Sequence, residues 1–113
     1  MAEGDEMAFP GVGNRYDVRF SQFHVQLYFT SETSMTYWNV DSNGGLTPGE
    51  TVTTDIVDVG DGKYLVRWQE QDESVVVHLE DYSAMRIYTN IASWNDDHTK
   101  IVFFRDAGDF SKI

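Results

Sequence analysis

Short runs of β-branched and aromatic residues, each closed by a turn signal, follow one another from Asn14 to Arg105. No window of useful length carries a 3.6-residue apolar period, so amphipathic helices are not expected. The runs predict strands at Asn14–Phe20, Phe23–Thr30, Met35–Val40, Thr51–Val59, Lys63–Glu70, Ser74–Glu80, Met85–Ile91 and Thr99–Arg105, with a short tail after the last. Ser21-Gln22, the loop Asp41-Ser42-Asn43-Gly44-Gly45 with Pro48-Gly49, and Gly60-Asp61-Gly62 supply turn chemistry between them. About eight strands joined mostly by short turns read as an all-β, antiparallel, up-and-down meander. Closing such a meander into a barrel buries its apolar face and removes its exposed edges. A two-sheet sandwich is the main alternative, and the short connections argue against its Greek-key crossovers.

The chain has 113 residues, enough for one domain with one modest core. Residues 1–13 are acidic and Gly-rich without an apolar signal core, so they read as a flexible leader, and 14–113 as a single barrel domain. No apolar run approaches the length of a membrane helix. There is no cysteine, which excludes a disulfide framework, a thiolate metal site and a Cys nucleophile. A cytoplasmic protein is the expectation. The net charge of -11 repels phosphates and anionic lipid, so neither nucleic acid nor a membrane is an expected partner. A homodimer is compatible with the sequence but nothing demands one.

Facing narrows the search for a site. In a strand, residues two apart share a face. Tyr64, Val66, Trp68 and Glu70 therefore line one surface of the Lys63–Glu70 strand. Three of them favour burial, so the Glu70 carboxyl is expected at or inside an apolar, aromatic-walled space. A carboxyl there is paired, raised in pKa, or used. With Asp72-Glu73 as the hairpin tip, Glu70 would oppose Val75, Trp68 Val77 and Val66 Leu79. That register puts Val75, Val77 and Leu79 inside, and Val76, His78 and Glu80 outside. Elsewhere, Thr36, Trp38 and Val40 share a face, as do Val25, Leu27 and Phe29, which by apolarity is the inner one. Ile87, Thr89 and Ile91 compete with Tyr88 and Asn90.

The run Tyr64-x-Val66-x-Trp68-x-Glu70, then Val75-Val76-Val77, then Tyr88-Thr89-Asn90-Ile91, resembles the MoaF-like family, named after molybdenum cofactor biosynthesis protein F. Thr36-Tyr37-Trp38 before a Gly-containing loop fits as well. The resemblance covers about Tyr16 to Ile101 and implies a calycin, lipocalin-like barrel. It carries no cofactor activity with it. A more distant resemblance is to the phenolic acid decarboxylases, where a glutamate matching Glu70 is a catalytic acid. The tyrosine and arginine positions of those enzymes are Val18, Phe20 and Glu50 here, which argues against the decarboxylation itself.

The expected function is binding of a small, largely apolar or aromatic molecule in the barrel. Trp38, Tyr64 and Trp68 would form its walls, with Tyr28 and Asn90 as further lining, and Glu70 would be the polar handle. The alternative is a cofactor-independent lyase, isomerase or cyclase on a phenolic or natural-product substrate. Glu70 would then be general acid or base, with His24 as its proton-transfer partner if the second strand turned that face inward. A third reading is a structural module whose aromatics fill the core, with Glu70 solvated or paired to Arg67 or Arg86. His24, His78 and His98 lie on separate elements without metal-ligand spacing, so no metal and no cofactor is expected. His78 reads as an outward strand residue.

Overall fold

The computed structural model describes residues 9–113. Its nine strands are β1 (Arg15–Phe20), β2 (His24–Ser31), β3 (Ser34–Asn39), β4 (Glu50–Thr53), β5 (Asp55–Gly60), β6 (Lys63–Gln69), β7 (Val75–Asp81), β8 (Arg86–Trp94) and β9 (Ile101–Lys112). They form one antiparallel sheet in the order β4-β3-β2-β1-β9-β8-β7-β6-β5, curled into a nearly closed barrel. All neighbours are consecutive in the chain except β1 and β9, which bring the first and last strands together. The up-and-down meander is thus the observed fold. No helix of the described residues is long and apolar enough to cross a membrane.

The extra strand comes from a bend. The run predicted as one strand at Thr51–Val59 breaks at Thr54, which separates β4 from β5. Thr54 is buried, and its hydroxyl donates to the Glu32 carbonyl at 2.9 Å. Its N–H donates to the Thr33 carbonyl at 3.0 Å. Held there, the segment pairs with β3 before the bend and with β6 after it. One stretch of chain therefore borders both edges of the sheet and leaves a seam between them.

The last strand is longer than expected. Its polar second half, Asp106-Ala107-Gly108-Asp109, hides a strand that pairs with β8 as far as Asp109 and with β1 from Gly108 onward. Gly108 lies so close to the backbone of Arg19 and Phe20 that a Cβ would collide with them. A missing side chain is what lets β9 seat against β1.

The β6–β7 register differs from the sequence expectation by one residue. Trp68 opposes Val76, Val66 opposes His78, and Tyr64 opposes Glu80. The turn is the cause. Glu73 N–H bonds the Glu70 carbonyl at 2.9 Å, and Glu70 N–H bonds the Ser74 carbonyl at 2.8 Å. Glu73 takes a left-handed φ of 74°. The hairpin tip is therefore three residues, Gln71 to Glu73, and not two. One added residue turns all of β7 over. Val76, His78 and Glu80 are buried inside, while Val75 is exposed and Val77 and Leu79 face outward.

The interior has two ends. At one, Phe9 packs edge-on against Phe29, Tyr64 and Tyr82 at centroid distances of 5.0, 5.1 and 5.4 Å. Tyr16 and Phe110 complete this plug. Burying one such ring stabilises the fold by about 1.5–3 kcal/mol. Of the leader expected over 1–13, residues 1–8 lie outside the described residues, and Phe9 belongs to the core. The other end is lined by Phe20, Phe23, Val25, Trp68 and Val76 and is not filled.

Candidate functional site

The unfilled end holds a cavity of about 130 Å³. Strand alternation supplies its walls. β6 sends in Trp68, β7 Val76 and His78, β8 Thr89 and Ile91, β2 Val25 and Leu27, and β3 Tyr37 and Asn39. Glu70, just past β6, borders this cavity and also a shallower open groove between β4 and the end of β6. It stands where the interior meets the outside.

Glu70 accepts a hydrogen bond from the Trp68 indole Nε1 at 3.1 Å. Burial is the main cause that raises its carboxyl above the ordinary glutamate range. The Trp68 bond opposes the shift, and nearby Asp72 and Glu50 add to it. Arg67 pairs instead with Asp55 at 2.8 Å and Arg86 with Asp109 at 2.9 Å, so neither arginine neutralises Glu70. Tyr37 sits beside it, its hydroxyl donating to Glu50 Oε1 at 2.6 Å. Burial, followed by the Glu50 bond and the Glu70 charge, raises the phenol far above its usual range, so it remains a neutral donor. The other Glu50 oxygen accepts the Gln71 N–H at 2.6 Å, which clasps β4 to the β6–β7 turn.

Deeper in, His78 and Glu80 form a buried pair, with Nδ1 to Oε2 at 2.9 Å. Tyr82 donates to the other Glu80 oxygen at 2.8 Å. Both carboxyl oxygens are engaged, and an ionised Glu80 can only accept, which assigns the shared proton to Nδ1 when Glu80 is ionised. The imidazole lies edge-on to the Trp68 ring, with centroids 4.8 Å apart. Thr89, directly across from His78 on β8, is buried, and its Oγ1 has no hydrogen-bond partner among the described residues. An unpaired buried hydroxyl costs about 1–3 kcal/mol and calls for a reason.

The residues expected from sequence divide sharply. Glu70 and Trp68 meet at the cavity, as above. Tyr64 faces inward but is locked in the aromatic plug at the opposite end. Trp38 lies on the outer face, under the Arg15 guanidinium at 4.1 Å, because β3 turns Met35 and Tyr37 inward instead. His24 is also outside, bonded to Asp17 at 2.6 Å, since Val25, Leu27 and Phe29 take the inner face of β2. It does not meet Glu70. Tyr28 shares that outer face, and Asn90 is exposed because Ile87, Thr89 and Ile91 face in. The residues missed were Tyr37, His78, Glu80 and Thr89. Val76-x-His78-x-Glu80 was a readable signal, since a histidine and a glutamate two apart on a strand share whichever face is inward.

A family model for MoaF-like proteins matches residues 12–103. The chain belongs to the MoaF-like family. No curated protein matches this MoaF-like chain significantly. Among solved structures, it is similar to the "putative beta-lactamase from Burkholderia vietnamiensis", with a TM-score of 0.77. The two are 22% identical, and the match covers 92% of this chain and 96% of that one. At that identity the likeness speaks for the MoaF-like barrel as a fold and not for a shared activity.

Proposed function

We propose that this MoaF-like barrel binds a small, largely apolar or aromatic molecule in the cavity at its open end, with Glu70 as polar handle. The observation that carries this is an apolar-walled space whose lining includes the Thr89 hydroxyl, unpartnered among the described residues, and the Glu70 carboxyl, bonded to the Trp68 indole. A core evolved only for packing would fill that space or drop the hydroxyl. At roughly 10–15 Å³ per water-sized position, about 130 Å³ suits a single ring. Trp68 and Phe20 offer faces or edges to it, and a guest hydroxyl or carbonyl can reach Glu70.

Native mass spectrometry of the purified protein tests whether a guest copurifies. A phenol titration followed by tryptophan fluorescence tests the site directly. The response should disappear in Trp68→Phe, survive in Trp38→Phe, and weaken in Val76→Phe, which fills the cavity. A response carried by Trp38, or no binding by any route, would end the proposal.

A second reading is a cofactor-independent lyase, isomerase or cyclase with Glu70 as general acid or base. His78, which borders the same cavity and is paired with the buried Glu80, favours it. A serine-type lactam hydrolase is not favoured, since the cavity lining holds the Thr89 hydroxyl and no serine.

A further inference from the structure

We infer that His78 Nε2 is a general base for carbon-bound protons in the cavity, held in place by Glu80, and that the barrel catalyses a 1,3-proton shift in a single-ring β,γ-unsaturated ketone. The inference rests on the binding reading above and adds a residue, a reaction and a substrate class to it.

The imidazole is built for one job. Its Nδ1 is committed to Glu80 at 2.9 Å, and Glu80 is itself fully buried and fixed by Tyr82. Trp68 closes one side of the ring edge-on, and Phe20 lies 6.0 Å away between centroids. The nitrogen left over is Nε2, on a residue that borders the cavity and makes no other hydrogen bond among the described residues. An acceptor nitrogen oriented by a carboxylate, in an apolar space, is the arrangement general-base catalysis requires.

A packing role explains the pair poorly. Placing a histidine and a carboxylate in a core carries a desolvation cost that apolar residues of the same volume avoid. The unpartnered Thr89 hydroxyl across from His78 repeats that cost at the same spot. Two such costs side by side, both on the cavity wall, indicate a guest that uses them. Glu70 supplies the second half of the chemistry. Its raised carboxyl retains a proton closer to neutrality than an exposed glutamate does and can donate to a carbonyl oxygen.

The step balances without a co-reactant. Nε2 takes a proton from the carbon between the carbonyl and the alkene. The C–H electron pair becomes the new C=C of a dienolate, whose oxygen accepts a hydrogen bond from the Glu70 carboxyl in its protonated form. The imidazolium returns the same proton to the far alkene carbon, the carbonyl re-forms, and the conjugated ketone leaves. Nothing is oxidised or reduced. Glu80 touches no reacting atom and is a positioning residue.

The probe is 3-cyclohexen-1-one, converted to 2-cyclohexen-1-one and followed by the rise in conjugated-enone absorbance. The wild type should outpace an equal concentration of free imidazole. His78→Gln should lose about 100-fold or more in kcat while still binding cyclohexanone by tryptophan fluorescence. Glu80→Gln should lower kcat and leave KM unchanged. Independently of any variant, ¹⁵N NMR of the wild type should report His78 as the Nδ1–H tautomer. The Nε2–H tautomer, or ketone binding with no isomerisation above the imidazole control, overturns the inference and leaves binding intact. If phenol binds and the ketone neither binds nor reacts, the inference alone falls. If no ring binds, both fall.

Discussion

Glu80 Oε2 lies 2.9 Å from His78 Nδ1, two residues along the same strand, with both side chains buried inside the barrel. The pair joins the two ends of the interior. Through Tyr82 it is anchored to the aromatic plug, and through His78 it reaches the cavity. The polar chain is therefore both a structural tie and the floor of the candidate site.

Glu80→Ala should show the structural half of that role. It leaves His78 Nδ1 and the Tyr82 hydroxyl without their buried partner. The expected loss is about 3 kcal/mol of stability by urea unfolding. A loss below about 1 kcal/mol would mean that water replaces the carboxylate, and that the pair is not sealed.

Glu70→Gln should change how stability varies with pH. Burial, chiefly, raises the folded carboxyl above its unfolded value. In the window between the two, the folded state binds more protons than the unfolded state. Glu70's contribution is therefore full below the unfolded pKa and lost as pH rises through the folded one. Gln cannot titrate. Urea unfolding of both proteins from pH 4 to 7 should show the variant gaining on the wild type as pH rises. A gap that stays constant, or moves the other way, contradicts the raised carboxyl.

How much of this was readable from the residues depended on turns more than on strands. Seven of the eight predicted runs became single strands, because alternation and turn chemistry agree there. The eighth split at Thr54, where a β-branched residue looks like any other strand position. Its buried hydroxyl bond to the Glu32 carbonyl is a tertiary feature with no local signal. Glu70 and Trp68 were found because they share a strand with apolar neighbours. His78 and Glu80 were missed for one reason, the length of a single turn. Glu73 is not a residue type that advertises a left-handed φ. Without that cue Val75, Val77 and Leu79 looked like the better inner face. Trp38 was misplaced because size and apolarity outweighed Tyr37, yet a guanidinium covers the indole outside.

Glu73→Gly should relieve that turn. At a φ of 74° a non-glycine side chain is strained by about 1–2 kcal/mol. The exposed bond from Trp94 Nε1 to Glu73 Oε1 and the added freedom of the unfolded chain offset part of the gain. A net stabilisation of about 0.5 kcal/mol is expected, read as a raised melting temperature. A fall in melting temperature would place the turn's stability in the Trp94 contact instead.

Gly108→Val tests barrel closure. The new side chain meets the backbone of Arg19 and Phe20, not a movable side chain. β1 and β9 must part, and a loss of about 3 kcal/mol or more is expected. Amide exchange should quicken first at the β1–β9 ladder. Uniform loss across the barrel would show that closure and core fold as one unit.

The seam opposite that junction has the reverse property. Among the described residues, β4 and β5 share no ladder with each other, and the Glu50–Gln71 clasp is a side-chain bond. The girth of the open end is thus set by a latch and not by a row of backbone bonds. On the binding reading proposed above, releasing that latch would admit a guest somewhat larger than the cavity, with every strand pair left intact. On that reading, size tolerance would rest on one glutamate at the rim, Glu50.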